Sequence, residues 1–209
     1  DGMEGKFIVF EGPDGSGKTT IINMIESYLK ENNIDHVLTR EPGGTKISEK
    51  IRGILLEIDH KEMCWETEAL LYAASRAQLV NQLIKPSLKS GKLVISDRYV
   101  YSSLAYQGYG RELGINKVRD INQFATEGLE PDAIIFFQVD PVTVLERKNI
   151  NVVPDRLESE HHTYHQRVYK GYQKILDDNI DRTIVIDARN SVDQVYEDTL
   201  EALLKLIGG

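Results

Sequence analysis

The stretch FEGPDGSGKTT, residues 10–20, stands directly behind the apolar run KFIVF at 6–10. Glycines 12, 15 and 17 lack a Cβ and tolerate positive φ, so the chain can turn tightly and bring several backbone N–H groups to one point. Such a nest binds an anion. IINMIESYLK, 21–30, has the spacing of an amphipathic helix that starts there and aims its positive dipole end at the same loop. Residues Gly12 to Thr19 match the phosphate-binding pattern G-x-x-x-x-G-K-[ST], with Lys18 placed to reach terminal phosphates and Thr19 to offer its hydroxyl to magnesium. A strand before and a helix after give the pattern its specificity. A ligand-free glycine turn would leave Lys18 and Thr19 without a role.

Similar apolar, β-branched runs recur at HVLT (36–39), KLVIS (92–96), AIIFFQV (133–139) and TIVID (183–187), with helical patterns between them. Near-continuous apolar strands alternating with amphipathic helices predict an α/β fold with a parallel sheet covered on both faces. Functional residues follow the first three runs: Glu11 with its loop, then Arg40 and Glu41, then Asp97 and Arg98. Ligands in such sheets sit beyond the carboxyl ends of the strands, so these tails are expected to share one crevice. Two segments read as insertions: a helical stretch from about Thr45 to Lys85, and ERKNINVVPDRLE at 146–158. The second is either a lid over bound nucleotide or a plain surface loop.

A chain of 209 residues suits one core, and a single domain from Met3 to Gly209 is expected. Asp1 and Gly2 are expected to be an expression remnant outside the fold. The net charge of −8 offers no electrostatic reason to expect nucleic acid or an anionic membrane as partner, so local cations must hold any anion. The single cysteine, Cys64, precludes an intrachain disulfide and fits a reducing compartment. With no signal core and no bilayer-length apolar run, a cytoplasmic location is expected.

Within VISDRY (94–99), Asp97 ends an apolar strand, where a carboxylate can orient a magnesium shell, and Arg98 supplies a planar fork suited to phosphate. TREPGGT (39–45) sets Arg40 and Glu41 before a forced turn. The next helix, ISEKIRGILL (47–56), is expected to turn Ile47, Ile51, Ile54 and Leu55 inward, leaving Arg52 as a phosphate ligand or a solvated face residue. In TEALLYAASRAQL (67–79), Glu68, Tyr72 and Arg76 share one helix face. That face could stack on and read a base, or form a structural Glu–Arg pair with Tyr72 half in the core. SSLAYQGYG (102–110) suits contacts to a sugar and base, or an ordinary polar loop. His161 and His165 are expected to be solvated helix residues rather than a metal pair, Cys64 lacks an adjacent base, and Trp65 anchors the helical insertion.

Together FEGPDGSGKTT, TREPGGT, TEALLYAASRAQ, DRYVYSSLAYQGYGR and DRLE (155–158) resemble the thymidylate kinase family of P-loop nucleoside monophosphate kinases, from Lys6 to about Leu206. The resemblance implies a three-layer P-loop fold with five parallel strands, a monophosphate-binding insertion (about 45–85), a lid (about 146–158), and usually a homodimer. It implies ATP as co-substrate with Mg2+, and dTMP as acceptor. ATP would lie on Gly12, Pro13, Asp14, Gly15, Ser16, Gly17, Lys18, Thr19 and Thr20, with Arg147 near the adenine or phosphates. Arg52 and Arg98 would hold the dTMP phosphate, with Arg40 beside them. Tyr72 would stack on thymine, Arg76 and Gln107 would read its edge, Ser103 would touch the base, and Tyr106 would pack on the deoxyribose. Glu11, Glu41 and Asp97 would surround the magnesium and the acceptor phosphate, with Thr19 and Asp97 holding the metal partly through water. The loop carries Asp14 where some members have arginine. It thus resembles the bacterial type, whose catalytic arginine comes from the lid, here Arg156 beside Lys18, Asp97 and Arg98.

Overall fold

The computed structural model describes residues 4–148 and 151–208. Asn149 and Ile150, within the expected lid, lie outside the described residues, as do the termini at 1–3 and 209. Five strands, β1 (Phe7–Glu11), β2 (His36–Arg40), β3 (Leu93–Asp97), β4 (Ala133–Gln138) and β5 (Thr183–Asp187), form one parallel sheet in the order β2-β3-β1-β4-β5. Each apolar run picked out by composition became a strand; the central β1, β3 and β4 are buried on both faces, whereas the edge strands β2 and β5 are mostly half-buried. Along β1, Phe7 and Val9 pack into one core with Val94 and Phe136, while Ile8 and Phe10 pack into the other with Ile95 and Phe137. This period of two, apolar at every position, is the signature of a doubly covered sheet.

The connections place the site. From β1 the chain runs through α1 (Lys18–Glu31) to β2 at one edge, whereas from β3 it crosses to β4 on the other side of β1. Neighbouring strands β1 and β3 therefore send their chains in opposite directions, which opens a crevice at their carboxyl ends. The register sets Phe10 opposite Asp97, so the phosphate-binding loop and the Asp97–Arg98 pair emerge side by side.

Helices α2 (Lys46–Leu56) and α3 (Trp65–Leu79) fill the first insertion, and α3 continues through a π-helical stretch, Val80–Ile84, into α4 (Lys85–Lys89). After β3 come α5 (Val100–Ser103), a second π-helical stretch at Leu104–Gly110, and α6 (Ile115–Thr126). The short α7 (Pro141–Glu146) precedes the proline-containing segment, and α8 (His162–Asp178) and α9 (Val192–Gly208) complete the layers. In α2 the expected inward stripe is only half right. Leu55 is buried and Ile51 half-buried, but Ile47 and Ile54 are 53% and 45% exposed. Ser48 takes the inner face instead, donating to the Ser75 carbonyl at 2.8 Å, because α2 meets α3 through small side chains.

Candidate active site

A cleft of about 590 Å3 opens at the carboxyl ends of β1, β2 and β3. One end is the phosphate-binding loop. Gly17 caps α1 at φ 81, and a Cβ there would meet nothing within 4 Å, so glycine is required for its backbone rather than for space. No side chain caps α1, which leaves its first turn to face an anion. Lys18 is 7% exposed, and its ammonium pairs with the Asp97 carboxylate. Burial and neighbouring Arg98 pull the Lys18 ammonium down from the usual lysine range, against the attraction of Asp97 and Glu11. Thr19 and Asp97 both line the cleft. Asp14, on the same loop, accepts from Arg98 at 2.8 Å.

Arg98 lines the cleft and joins Asp14 of the loop to the Tyr106 ring. Its φ of 75 lies in the left-handed region, and its own N–H donates to the Phe10 carbonyl at 2.8 Å while Ser96 Oγ donates to its carbonyl at 2.6 Å. Its guanidinium also reaches Ser102 at 3.0 Å and Tyr172 at 3.1 Å, and lies 5.3 Å from the centre of the Tyr106 ring. Burial works against its charge, but Tyr106, Tyr172, Asp14 and Asp97 together hold it well above the usual arginine range. It stays cationic at any working pH.

Beyond β2, Arg40 forks Glu49 of α2 at 3.0 and 3.2 Å, and Arg52 donates to the Pro42 carbonyl at 2.8 Å. Both line the cleft with Glu41. One Glu41 oxygen accepts from Arg76 at 2.6 Å, while the other is buried without a partner. Burial pushes the Glu41 carboxyl up to about 7 despite the pull of Arg76. Tyr72, Ser103, Tyr106 and Gln107 also line the cleft.

Several expected residues stand back from the opening. Glu11 is fully buried and accepts from Tyr99 N at 2.7 Å, Ser102 Oγ at 2.7 Å and Tyr172 at 2.9 Å. It organises the loop that carries Arg98. Arg76, 1% exposed, is not at the cleft wall; its guanidinium is taken up by Glu41, Ser103, Asn122 and the Tyr99 carbonyl. Arg147 bridges the other flank of the loop, donating to the Ala188 carbonyl at 2.6 Å and to the Gly15 carbonyl at 3.5 Å. Arg156, expected over the transferring phosphoryl group, is 6% exposed and held by the Leu55 carbonyl at 2.7 Å and Glu68 at 2.5 Å. In this conformation it ties the end of the lid segment to α2 and α3, because a buried carboxylate offers a stronger partner than water.

Residues that sequence reasoning passed over include Tyr172, Ser102, Glu49 and Asp155, which lines the cleft. Arg40 and Glu49 were near enough in sequence to have been paired, but Tyr172 lies 161 residues from Glu11. Trp65 is 39% exposed and stacks under Arg111 at 3.8 Å. His161 is exposed, whereas His165 is half-buried rather than solvated, and among the described residues no three or more histidine, cysteine, aspartate or glutamate side chains gather into a metal-binding group. Nor, among them, is any helix long and apolar enough to cross a membrane.

The family profile described as thymidylate kinase matches residues 10–199. A protein named thymidylate kinase from Finegoldia magna is 54% identical over 198 residues, covering 94% of this chain and 97% of that protein. One of the same name from a Geobacillus species is 50% identical over 209 residues, covering 99% of this chain and all of its own. Another from Lactobacillus delbrueckii subsp. bulgaricus is 53% identical over 92% of each chain. With a crevice at the β1/β3 switch point, a phosphate-binding loop at one end and near-complete coverage by such relatives, the chain belongs to the thymidylate kinase family.

Proposed function

We propose that the protein transfers the γ-phosphate of ATP to dTMP, giving dTDP and ADP, and so supplies dTTP synthesis for DNA replication. The observation that carries this reading is the set of groups gathered on one cleft. Lys18 and Thr19 line it with Tyr72, Ser103 and Gln107, and Arg98 joins Asp14 of the phosphate-binding loop to the Tyr106 ring. ATP phosphates would lie on Gly12 to Thr20, with the adenine toward Arg147. The dTMP phosphate would meet Arg98, Arg52 and Arg40, the deoxyribose Tyr106, and the base Tyr72, Ser103 and Gln107. Arg76 would act on the base edge through Ser103, to which it donates at 2.9 Å.

Thr19, Asp97 and Glu41 all line this cleft and offer it hard oxygen donors, the donor type suited to magnesium. Thr19 and Asp97 would hold the ion, partly through water, and a bound ion neutralises charge on the nucleotide phosphates. The acceptor oxygen of dTMP is already ionised near neutral pH, so no general base is needed. Catalysis then rests on alignment and charge stabilisation. Lys18 stabilises charge on the transferring group, and Arg98 and Arg52 screen two like-charged phosphates from each other. The catalytic role of Arg156 requires it to leave Glu68.

Residues 45–85 act as the monophosphate-binding insertion and 146–158 as the lid of a single kinase domain. We also propose a cytoplasmic homodimer with no nucleic-acid or membrane partner. α3 packs between α2 and α6, and these helices expose Ile47, Ile54, Leu70 and Phe124, the last at 88%. ADP release from MgATP, coupled to NADH oxidation, tests the activity with dTMP, dUMP, dCMP, dGMP, AMP and thymidine offered separately. Strong release with dTMP and weaker release with dUMP is expected, since a methyl group is worth only about 1–3 kcal/mol of discrimination. Preference for another acceptor, or hydrolysis without one, would overturn the assignment.

A further inference from the structure

Beneath the base end of the cleft lies a buried polar cluster centred on Glu68 of α3, which is 0% exposed. Its Oε1 accepts from Gln107 Nε2 at 3.0 Å and Arg111 Nε at 3.0 Å. Its Oε2 accepts from a second Arg111 nitrogen at 3.1 Å and from Arg156 at 2.5 Å. Arg111 is itself clamped between the rings of Trp65 and Tyr164, 3.8 and 4.4 Å from their centres. Burial alone would raise the Glu68 carboxyl, but Arg111 and Arg156 hold it below the usual carboxylate range. Arg111 alone donates to both Glu68 oxygens, so Glu68 stays a fixed, ionised acceptor even when Arg156 leaves it.

Gln107 lines the cleft and is 1% exposed, and its Oε1 is buried with no partner. A carboxamide can present either its oxygen or its NH2 after a half-turn, and the two choices read opposite base edges. Facing an ionised carboxylate, the oxygen would meet like lone pairs, so the NH2 must point to Glu68. That leaves Oε1 as the acceptor awaiting a donor from a ligand, and an unmade buried hydrogen bond is costly. The pyrimidine imides thymine and uracil carry N–H at ring position 3, whereas cytosine has a bare acceptor nitrogen there.

We propose that Glu68 is a positioning residue for base choice, locking the Gln107 carboxamide so that its oxygen selects pyrimidine monophosphates bearing a ring N–H and rejects cytosine. The proposal rests on the base lying at Gln107, as assigned above. Its test is kcat/KM for dTMP, dUMP and dCMP in Glu68→Gln and Glu68→Asp. The first replaces the lock with a group that can donate or accept, and the second keeps the negative charge on a side chain one methylene shorter, which loosens its hold on Gln107. The dTMP:dCMP ratio is expected to fall at least tenfold in Glu68→Gln and in the same direction in Glu68→Asp, with the dTMP:dUMP ratio held within twofold. A parallel loss for all three substrates would show a merely structural role and overturn the proposal. If Glu68→Gln does not fold, an unchanged dTMP:dCMP ratio in Glu68→Asp overturns it equally. Gln107→Leu separates the two levels of inference. Discrimination lost there but intact in the Glu68 variants overturns the lock alone, and discrimination intact in all three removes the base from Gln107 as well.

Discussion

Arg98 shows how a single residue is held in a costly state for what it can reach. Left-handed backbone at a non-glycine residue costs about 1–3 kcal/mol, and here hydrogen bonds from Ser96 and to Phe10 offset it. The strand end and the adjacent acid made Asp97 and Arg98 legible from sequence as residues of the crevice. The support beneath them was not legible, because Ser102 and Tyr172 meet Glu11 from 91 and 161 residues away. Glu41 yields a pH-dependent expectation. Its folded value of about 7 lies above the ordinary carboxylate value, so the folded protein binds the extra proton between about pH 4.5 and 7. Its contribution to stability is then fully present below about pH 4.5 and lost as pH rises toward 7. In thermal melts across that range, the stability of the unaltered protein should fall relative to Glu41→Gln as pH rises. Parallel curves would show that Glu41 titrates normally.

Among the elements, α2 shows both the reach and the limit of pattern. Its start was readable in TREPGGT, and Thr45 caps it by accepting from Ser48 N at 3.1 Å. Replacing that cap by alanine typically costs about 1 kcal/mol, so Thr45→Ala should lower the urea midpoint with little change in slope. A larger loss would mean that Thr45, which also donates to Ser48 Oγ at 2.8 Å, supports the α2–α3 contact as well. The buried face was misread because periodicity reports which residues are apolar, not how wide a surface the neighbour covers. Ser48 and Ser75 form that contact, and two isoleucines are left outside. The segment at 146–158 had no periodicity to guide it, and its anchoring through Arg156 depends on a carboxylate from a different helix.

For the whole molecule, the exposed apolar residues of α2, α3 and α6 give the dimer proposal a direct check. Leu70→Asp and Phe124→Asp should shift sedimentation velocity toward the monomer without loss of helix signal, whereas unchanged sedimentation of a dimer would place its interface elsewhere. The sequence alone determined the α/β class, the number of parallel strands and the phosphate-binding loop, because these follow from local conformation and from near-continuous apolar strands. It also identified the thymidylate kinase motifs. The tertiary structure decided the strand order, and with it the neighbourhood of β1 and β3 that brings Lys18 to Asp97. It decided too that Arg76 and Arg156 are buried cations with carboxylate partners. Residue type states what a side chain can bind, but burial removes the competition of water, and only the packed chain determines which partner remains within reach.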